Sequence, residues 1–254
     1  MKLVFVVPAL NERENLPKLA ARLGDAIRAC GLPASVVLVD DGSTDGTGDA
    51  ARDELSAFGI TVVTHPRNLG VAAAFRNGFA AALERCEDND LVVTLEADNT
   101  SDIGALPKLV AEARAGADLV LGSCYAPGGG VDGTNAWRLI LSGGANTMIK
   151  VWFGLRGLYT FSSFYRVHRA GMLRELFEAT DGNPMREQGF ASVVELLIRV
   201  RAMGFRVVEV PVVLRSLERR GKSKMRVGRT IVGYFRVMGA LGPRACRFKA
   251  RRRS

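Results

Sequence analysis

Three short clusters of acidic and amide side chains each follow an apolar run: Asn11-Glu12, Asp40-Asp41-Gly42-Ser43-Thr44-Asp45 and Glu96-Ala97-Asp98. Carboxylates at strand ends accept hydrogen bonds from ribose hydroxyls or a base N–H. Gly42 permits a tight turn, and Ser43 or Asp45 is placed to cap a following helix. A capped turn alone would explain that stretch. A dinucleotide phosphate loop does not, because the glycines fall at 42, 46 and 48 and two acids ahead of them would repel a pyrophosphate. Glu96 and Asp98 are hard oxygen ligands that can share one Mg²⁺ or Mn²⁺, which can bridge a diphosphate. In isolation an E-x-D pair is more often a solvated turn; here its place after a strand, beside two other polar clusters, favours the metal.

The cationic counterpart lies at the other end of the chain. Arg219-Arg220-Gly221-Lys222-Ser223-Lys224 could clamp phosphates, although a solvated basic loop is the plainer use of such residues. Beyond it Ile231, Tyr234, Phe235, Met238 and Leu241 recur at helical spacing, flanked by Arg226, Arg229 and Arg236, and Arg251-Arg252-Arg253 follow. A basic amphipathic helix suits an anionic membrane surface, and a helix packed on the core fits the pattern equally well. No nucleic-acid module is recognisable, so no nucleic-acid partner is expected. His65 and His168 stand beside no Ser or Cys nucleophile motif, which disfavours triad chemistry.

The elements that must position these groups follow from periodicity. Strands are expected at Leu3–Val7, Val36–Val39, Ile60–Thr64, Leu91–Leu95 and Leu119–Leu121, with helices at 15–29, 47–58, 72–85 and 106–113 between them. Alternating apolar strands and helices give the α/β class, a mainly parallel sheet covered on both faces, with ligands outside the strands' carboxyl ends. Tyr125–Thr134 reads as a mobile Gly-rich loop, Arg138–Phe153 as an apolar helix, and 173–180 and 192–203 as helices. Val207–Val213 reads as a strand that Pro211 places at a sheet edge.

Composition limits the rest. The 254 residues suit one large domain, and 48% hydrophobic content excludes wholesale disorder. Of 35 basic residues, 13 lie from Arg219 onward with no acid among them, leaving 22 against 26 acids in the body. Four dispersed cysteines form no C-x-x-C pair, which argues against zinc and for free thiols in a reducing cytosol. No secretory signal opens the chain, and no uncharged apolar run is long enough to span a bilayer.

Taken in order, these pieces resemble the family 2 glycosyltransferases, and among them the polyprenyl-phosphate sugar transferases. The matching segments are Val7 to Glu12, Asp40 to Thr47, Arg67 to Gly70 with Asn77-Gly78, Glu96 to Asp98, Gly122-Ser123, Arg138 to Asn146, Gly189-Phe190 with Glu195-Leu196, Glu209 to Pro211, and Gly221 to Lys224. The family usually has Asp where Glu96 stands, Gln at Thr100, Arg at Cys124 and Asp at Thr160.

The resemblance implies a GT-A fold over residues 1–225, with 226–254 as a basic amphipathic membrane-surface tail. It implies an inverting transfer of a hexose from a nucleotide-diphosphate sugar to polyprenyl phosphate, with GDP-mannose favoured and UDP-glucose second. Pro8, Asn11, Glu12, Val39, Asp41 and Ala97 would hold the sugar donor. Asp98 would bind a divalent cation, Mg²⁺ or Mn²⁺, with Glu96 beside it; Arg138 and Ser142 would meet the acceptor phosphate, and Lys224 the donor diphosphate. The expected place is the cytoplasmic inner face of the cell membrane, peripherally bound; a homo-oligomer or a separate membrane partner is left open. The alternatives are a family 2 enzyme with a soluble or polysaccharide acceptor, and a non-catalytic nucleotide-sugar-binding protein.

Overall fold

The computed structural model describes residues 1–133, 136–218, 227–243 and 245–246, with the backbone alone for 136–142 and 227. Its elements run β1 (Leu3–Ala9), α1 (Leu16–Cys30), β2 (Ala34–Asp40), α2 (Thr47–Glu54), β3 (Thr61–Thr64), α3 (Val71–Leu83), β4 (Leu91–Thr94), α4 (Leu106–Arg114) and β5 (Leu119–Ser123). There follow β6 (Gly130–Asp132), α5 (Ala136–Phe153), β7 (Arg166–Arg169), α6 (Ala170–Glu178), α7 (Ala191–Ala202), β8 (Val207–Pro211), β9 (Val213–Arg215) and α8 (Val227–Leu241).

Seven strands form one sheet in the order β3-β2-β1-β4-β7-β5-β8, and β6 pairs with β9 in a separate two-stranded sheet. Only β7 runs antiparallel to its neighbours β4 and β5. The strands are apolar on both faces because helices cover both. In β1, Val4 and Val6 join one buried cluster with α3, α6, α7 and α8, whereas Leu3, Phe5 and Val7 join the other with α1 and α4. Gly78 lets α3 lie directly on the sheet: a Cβ there would overlap Val6 Cγ1 and stand 3.0 Å from Val39 Cγ2. Among the described residues no helix is long and apolar enough to cross a membrane.

Two expectations are corrected. Tyr125–Thr134 is not simply a mobile loop, because Gly130–Asp132 forms β6 and pairs in register with Val213–Arg215. The strand expected at Val207–Val213 breaks at Val212 into β8 and β9; β8 is an edge strand ending at Pro211, as the proline indicates. Arg166–Arg169, a basic run for which no element was expected, is a central strand. Arg166 is 1% exposed, and its guanidinium donates to the carbonyls of Ser163, Val193 and Phe161 at 2.7, 2.9 and 2.7 Å. Hydrogen bonds to backbone, with the Glu209 carboxylate acting at longer range, make a buried arginine tolerable there.

Candidate active site

Parallel pairing brings the three acidic clusters to one edge. Ala9 is opposite Asp40, and Val6 is opposite Thr94, so β1, β2 and β4 end side by side. The residues that follow, Asn11-Glu12, Asp41 and Glu96-Ala97-Asp98, leave the sheet together at its carboxyl edge, where α/β sheets bind ligands.

Asp41 is buried and holds the loop after β3. Its Oδ1 accepts from Nδ1 of His65 at 2.7 Å and from the Leu69 N–H at 2.8 Å, and its Oδ2 accepts from the Gly70 N–H at 2.9 Å. Asn77 Nδ2 lies 2.9 Å from His65 Nε2, on the far side of the ring from Asp41. Gly42 makes this approach possible, since at φ 77° a Cβ would overlap the Arg67 backbone. Asp40 accepts from the Ser43 N–H at 2.9 Å, as the turn chemistry requires.

The first cluster is tied to the second. Asn11, at φ 51°, accepts from the Thr44 N–H through its side chain and donates its own N–H to Ser43 Oγ, both at 2.9 Å. Asp45 accepts from the N–H groups of Thr47 and Arg13, and Glu12 donates its N–H to Thr47 Oγ1. Asn15 Nδ2 donates to Glu12 Oε2 at 2.5 Å, and the Asn15 carbonyl accepts from Asn99 Nδ2 at 2.9 Å. A short chain of contacts thus runs from Glu12 to the residue beside Asp98.

Asp98 is buried, and its Oδ1 accepts from both the N–H and the hydroxyl of Thr100, at 3.1 and 2.7 Å. Thr100 therefore fixes the carboxylate's rotamer. Glu96 is half-buried at the same strand end. The donor set fits a hard divalent cation: two carboxylates, no sulfur and, beside them, a buried Asn99 Oδ1 that has no hydrogen-bond partner. No group of three or more ligating side chains occurs among the described residues.

Beyond β5 a second polar network closes the edge. Ser123 Oγ lies 2.6 Å from Thr160 Oγ1, and Glu209 Oε1 accepts from the N–H groups of Tyr159 and Thr160 at 2.9 and 2.7 Å. Burial pushes the Glu209 carboxyl above its ordinary range and the Cys124 thiol up to about 11, so Cys124 stays a neutral thiol.

Pro8 and Val39 are register partners within the sheet. Val39 and Ala97 are buried in the core, so any contact they make with a ligand falls to their main chain. Arg138 and Ser142, as side chains, and Lys224 lie outside the described residues. Sequence reasoning missed His65, Asn77 as its partner, Arg22 and Asn15. For His65 a signal existed: it directly follows β3, the neighbour of the strand that delivers Asp41.

Residues 4–180 match the family described as Glycosyl transferase family 2. The polyprenol monophosphomannose synthase of Mycolicibacterium smegmatis is 34% identical over 92% of this chain and 84% of its own length. The undecaprenyl-phosphate mannosyltransferase of Micrococcus luteus is 34% identical over 92% and 90%. The dolichol-phosphate mannosyltransferase of Pyrococcus furiosus is 31% identical over 93% of this chain and 62% of its own. Among solved structures, glucosyl-3-phosphoglycerate synthase from Mycobacterium tuberculosis in complex with Mn²⁺, UDP and glucosyl-3-phosphoglycerate aligns with a TM-score of 0.64 at 19% identity, over 94% of this chain and 78% of that one. Its complex with Mg²⁺ and UDP aligns at 0.65, again at 19% identity, over 94% and 79%. At that identity the likeness is one of fold, the GT-A arrangement expected from the motifs.

Proposed function

The chain belongs to glycosyl transferase family 2, and from that premise we propose that it transfers a hexose from a nucleotide-diphosphate sugar to polyprenyl phosphate at the inner face of the cell membrane. GDP-mannose is the favoured sugar donor. The likeness to three polyprenyl- or dolichol-phosphate mannosyltransferases at 31–34% identity, each across more than nine-tenths of this chain, carries the reading. The acidic edge supports it with the chemistry that a diphosphate donor needs.

In this reading Asp41, with Pro8, Asn11, Glu12 and the main chain of Val39 and Ala97, holds the nucleoside. Glu96 and Asp98 hold the divalent cation, whose charge, when bound, offsets that of the departing diphosphate. The acceptor phosphate oxygen attacks the anomeric carbon from the face opposite the diphosphate. The new C–O bond forms as the old one breaks, the bonding pair leaves on the nucleoside diphosphate, and the configuration inverts. The acceptor is already anionic, so no strong base is needed; the work is to bring two anions together, which falls to Arg138, Ser142 and Lys224.

An apolar surface on α5 and α8 supports membrane attachment. Val151, Trp152 and Tyr159 are exposed near the end of α5, and Ile231, Val232 and Phe235 are exposed on α8. Trp152 Nε1 donates to the Met238 carbonyl at 3.3 Å, which joins the two helices. Residues 226–254 are the segment to which we assign anionic-surface binding, with α8 seated on the body through Tyr234, Val237 and Met238.

Incubation with Mn²⁺, radiolabelled nucleotide sugars and polyprenyl phosphate tests the reading. Lipid-extractable label from a mannose donor is expected. Absence of lipid label with every common donor overturns it, and label carried instead by added phosphoglycerate would reassign the acceptor.

A further inference from the structure

The loop that carries Asp98 is held by groups that no sequence motif marks. Its three successive carbonyls are all taken. Arg22, on α1, donates from its two terminal nitrogens to the Asn99 and Ser101 carbonyls at 2.5 and 2.6 Å, and the N–H of Arg215, on β9, donates to the Thr100 carbonyl between them at 2.9 Å. The Arg215 guanidinium stands 3.6 Å from Asp102, and the Val213 N–H points to the same carboxylate. Asn99 itself is wholly buried in the left-handed region at φ 63°, which asparagine adopts more readily than other non-glycine residues.

The guanidinium of Arg22 is part-buried beside that of Arg215, and burial first, then this like charge, lower its pKa. The nearby Glu218 and Asp102 carboxylates act in the opposite sense. The planar fork of Arg22 serves the two carbonyls from two separate nitrogens in fixed geometry, whereas a lysine would have to serve both from one nitrogen on a flexible stem.

We infer that Arg22 is a positioning residue for the divalent-cation site: it locks the 99–101 backbone so that the Asp98 carboxylate, tied to Thr100, is presented in one orientation. This rests on the metal reading of Asp98 given above. A residue that orients a ligand in this way, when removed, lowers metal affinity roughly 10- to 100-fold.

The experiment uses the full chain and Mn²⁺ as the probe, by electron paramagnetic resonance titration with GDP and with UDP, alongside nucleotide affinity measured without metal. Arg22→Ala is expected to weaken Mn²⁺ binding roughly 10- to 100-fold while metal-free nucleotide affinity stays within about twofold, and Arg22→Lys to recover only part of the loss. Unchanged Mn²⁺ affinity in Arg22→Ala, full recovery by lysine, or an equal loss of metal-free nucleotide binding would each overturn the inference. Wild-type Mn²⁺ binding that Asp98→Ala leaves intact would instead remove the metal reading, and this inference with it.

Discussion

His65 donates its Nδ1 proton to Asp41 Oδ1 at 2.7 Å, inside a site where both side chains are shielded from water. Asp41 follows β2 and His65 follows β3, so adjacent parallel strands make the contact. Removing the imidazole leaves a buried carboxylate short of one partner and frees the 65–70 loop. His65→Ala is expected to cost about 1–3 kcal/mol of stability, read by urea denaturation, and to weaken nucleoside diphosphate binding about tenfold by calorimetry. His65→Gln, which keeps an N–H donor, should restore part of both. Unchanged affinity in the alanine variant would show that Asp41 needs no such support.

Arg166 offers a different kind of test, because its hydrogen bonds go to backbone carbonyls. Its three carbonyl partners belong to the 161–163 turn and to α7, so the side chain staples the second half of the domain together. Burial brings its pKa down to about 9. Arg166→Met has similar bulk but leaves those carbonyls unpaired, and should destabilise by about 3 kcal/mol or more. A loss below about 1 kcal/mol would mean that water replaces the guanidinium there.

The first half of the fold was legible because its strands are apolar runs and its helices amphipathic, so period alone separates them. The shared acidic edge was legible for the same reason: three polar clusters each ended a strand, and parallel strands end together. β7 was hidden because Arg-Val-His-Arg carries no apolar signal, and its burial depends on carbonyls supplied by Phe161, Ser163 and Val193. β6 and β9 were hidden because each has three residues and is defined only by pairing with the other. Arg22 was hidden because a helix-surface arginine looks the same whether it meets solvent or two loop carbonyls.

His168, the buried neighbour of Arg166 in β7, gives stability a pH dependence. Burial first, and the Arg166 charge second, hold its imidazole well below the ordinary 6.5. Folded protein therefore keeps it neutral as the pH falls, whereas unfolded chain protonates it below about 6.5. The unfolded state then binds more protons, so this contribution is complete above that pH and is lost on acidification at up to about 1.4 kcal/mol per pH unit. Urea midpoints between pH 7.5 and 5.5 should fall more steeply for wild type than for His168→Gln. Parallel slopes would assign the acid sensitivity to other groups.

On α8 the buried and exposed apolar side chains alternate by face, and the two faces predict opposite outcomes. Tyr234 and Met238 are 7% and 6% exposed within the core, while Val232 and Phe235 are 50% and 56% exposed on the opposite side. Gly233 brings α8 close to α7, since a Cβ there would stand 2.7 Å from that of Ala191, so the helix is seated rather than loosely attached. A seated helix with an apolar outer face, flanked by exposed Arg229 and Arg236, has the composition that lies in a headgroup layer. Transferring one such side chain fully out of water is worth about 1.5–3 kcal/mol, so Val232→Ser with Phe235→Ser should weaken binding to anionic vesicles at least tenfold. The same double variant should melt within a few degrees of wild type, whereas Met238→Ser should lower the melting temperature clearly. Vesicle sedimentation and thermal denaturation read the two effects separately. Undiminished vesicle binding by the double variant would move the contact to Val151 and Trp152 on α5 or away from this face altogether.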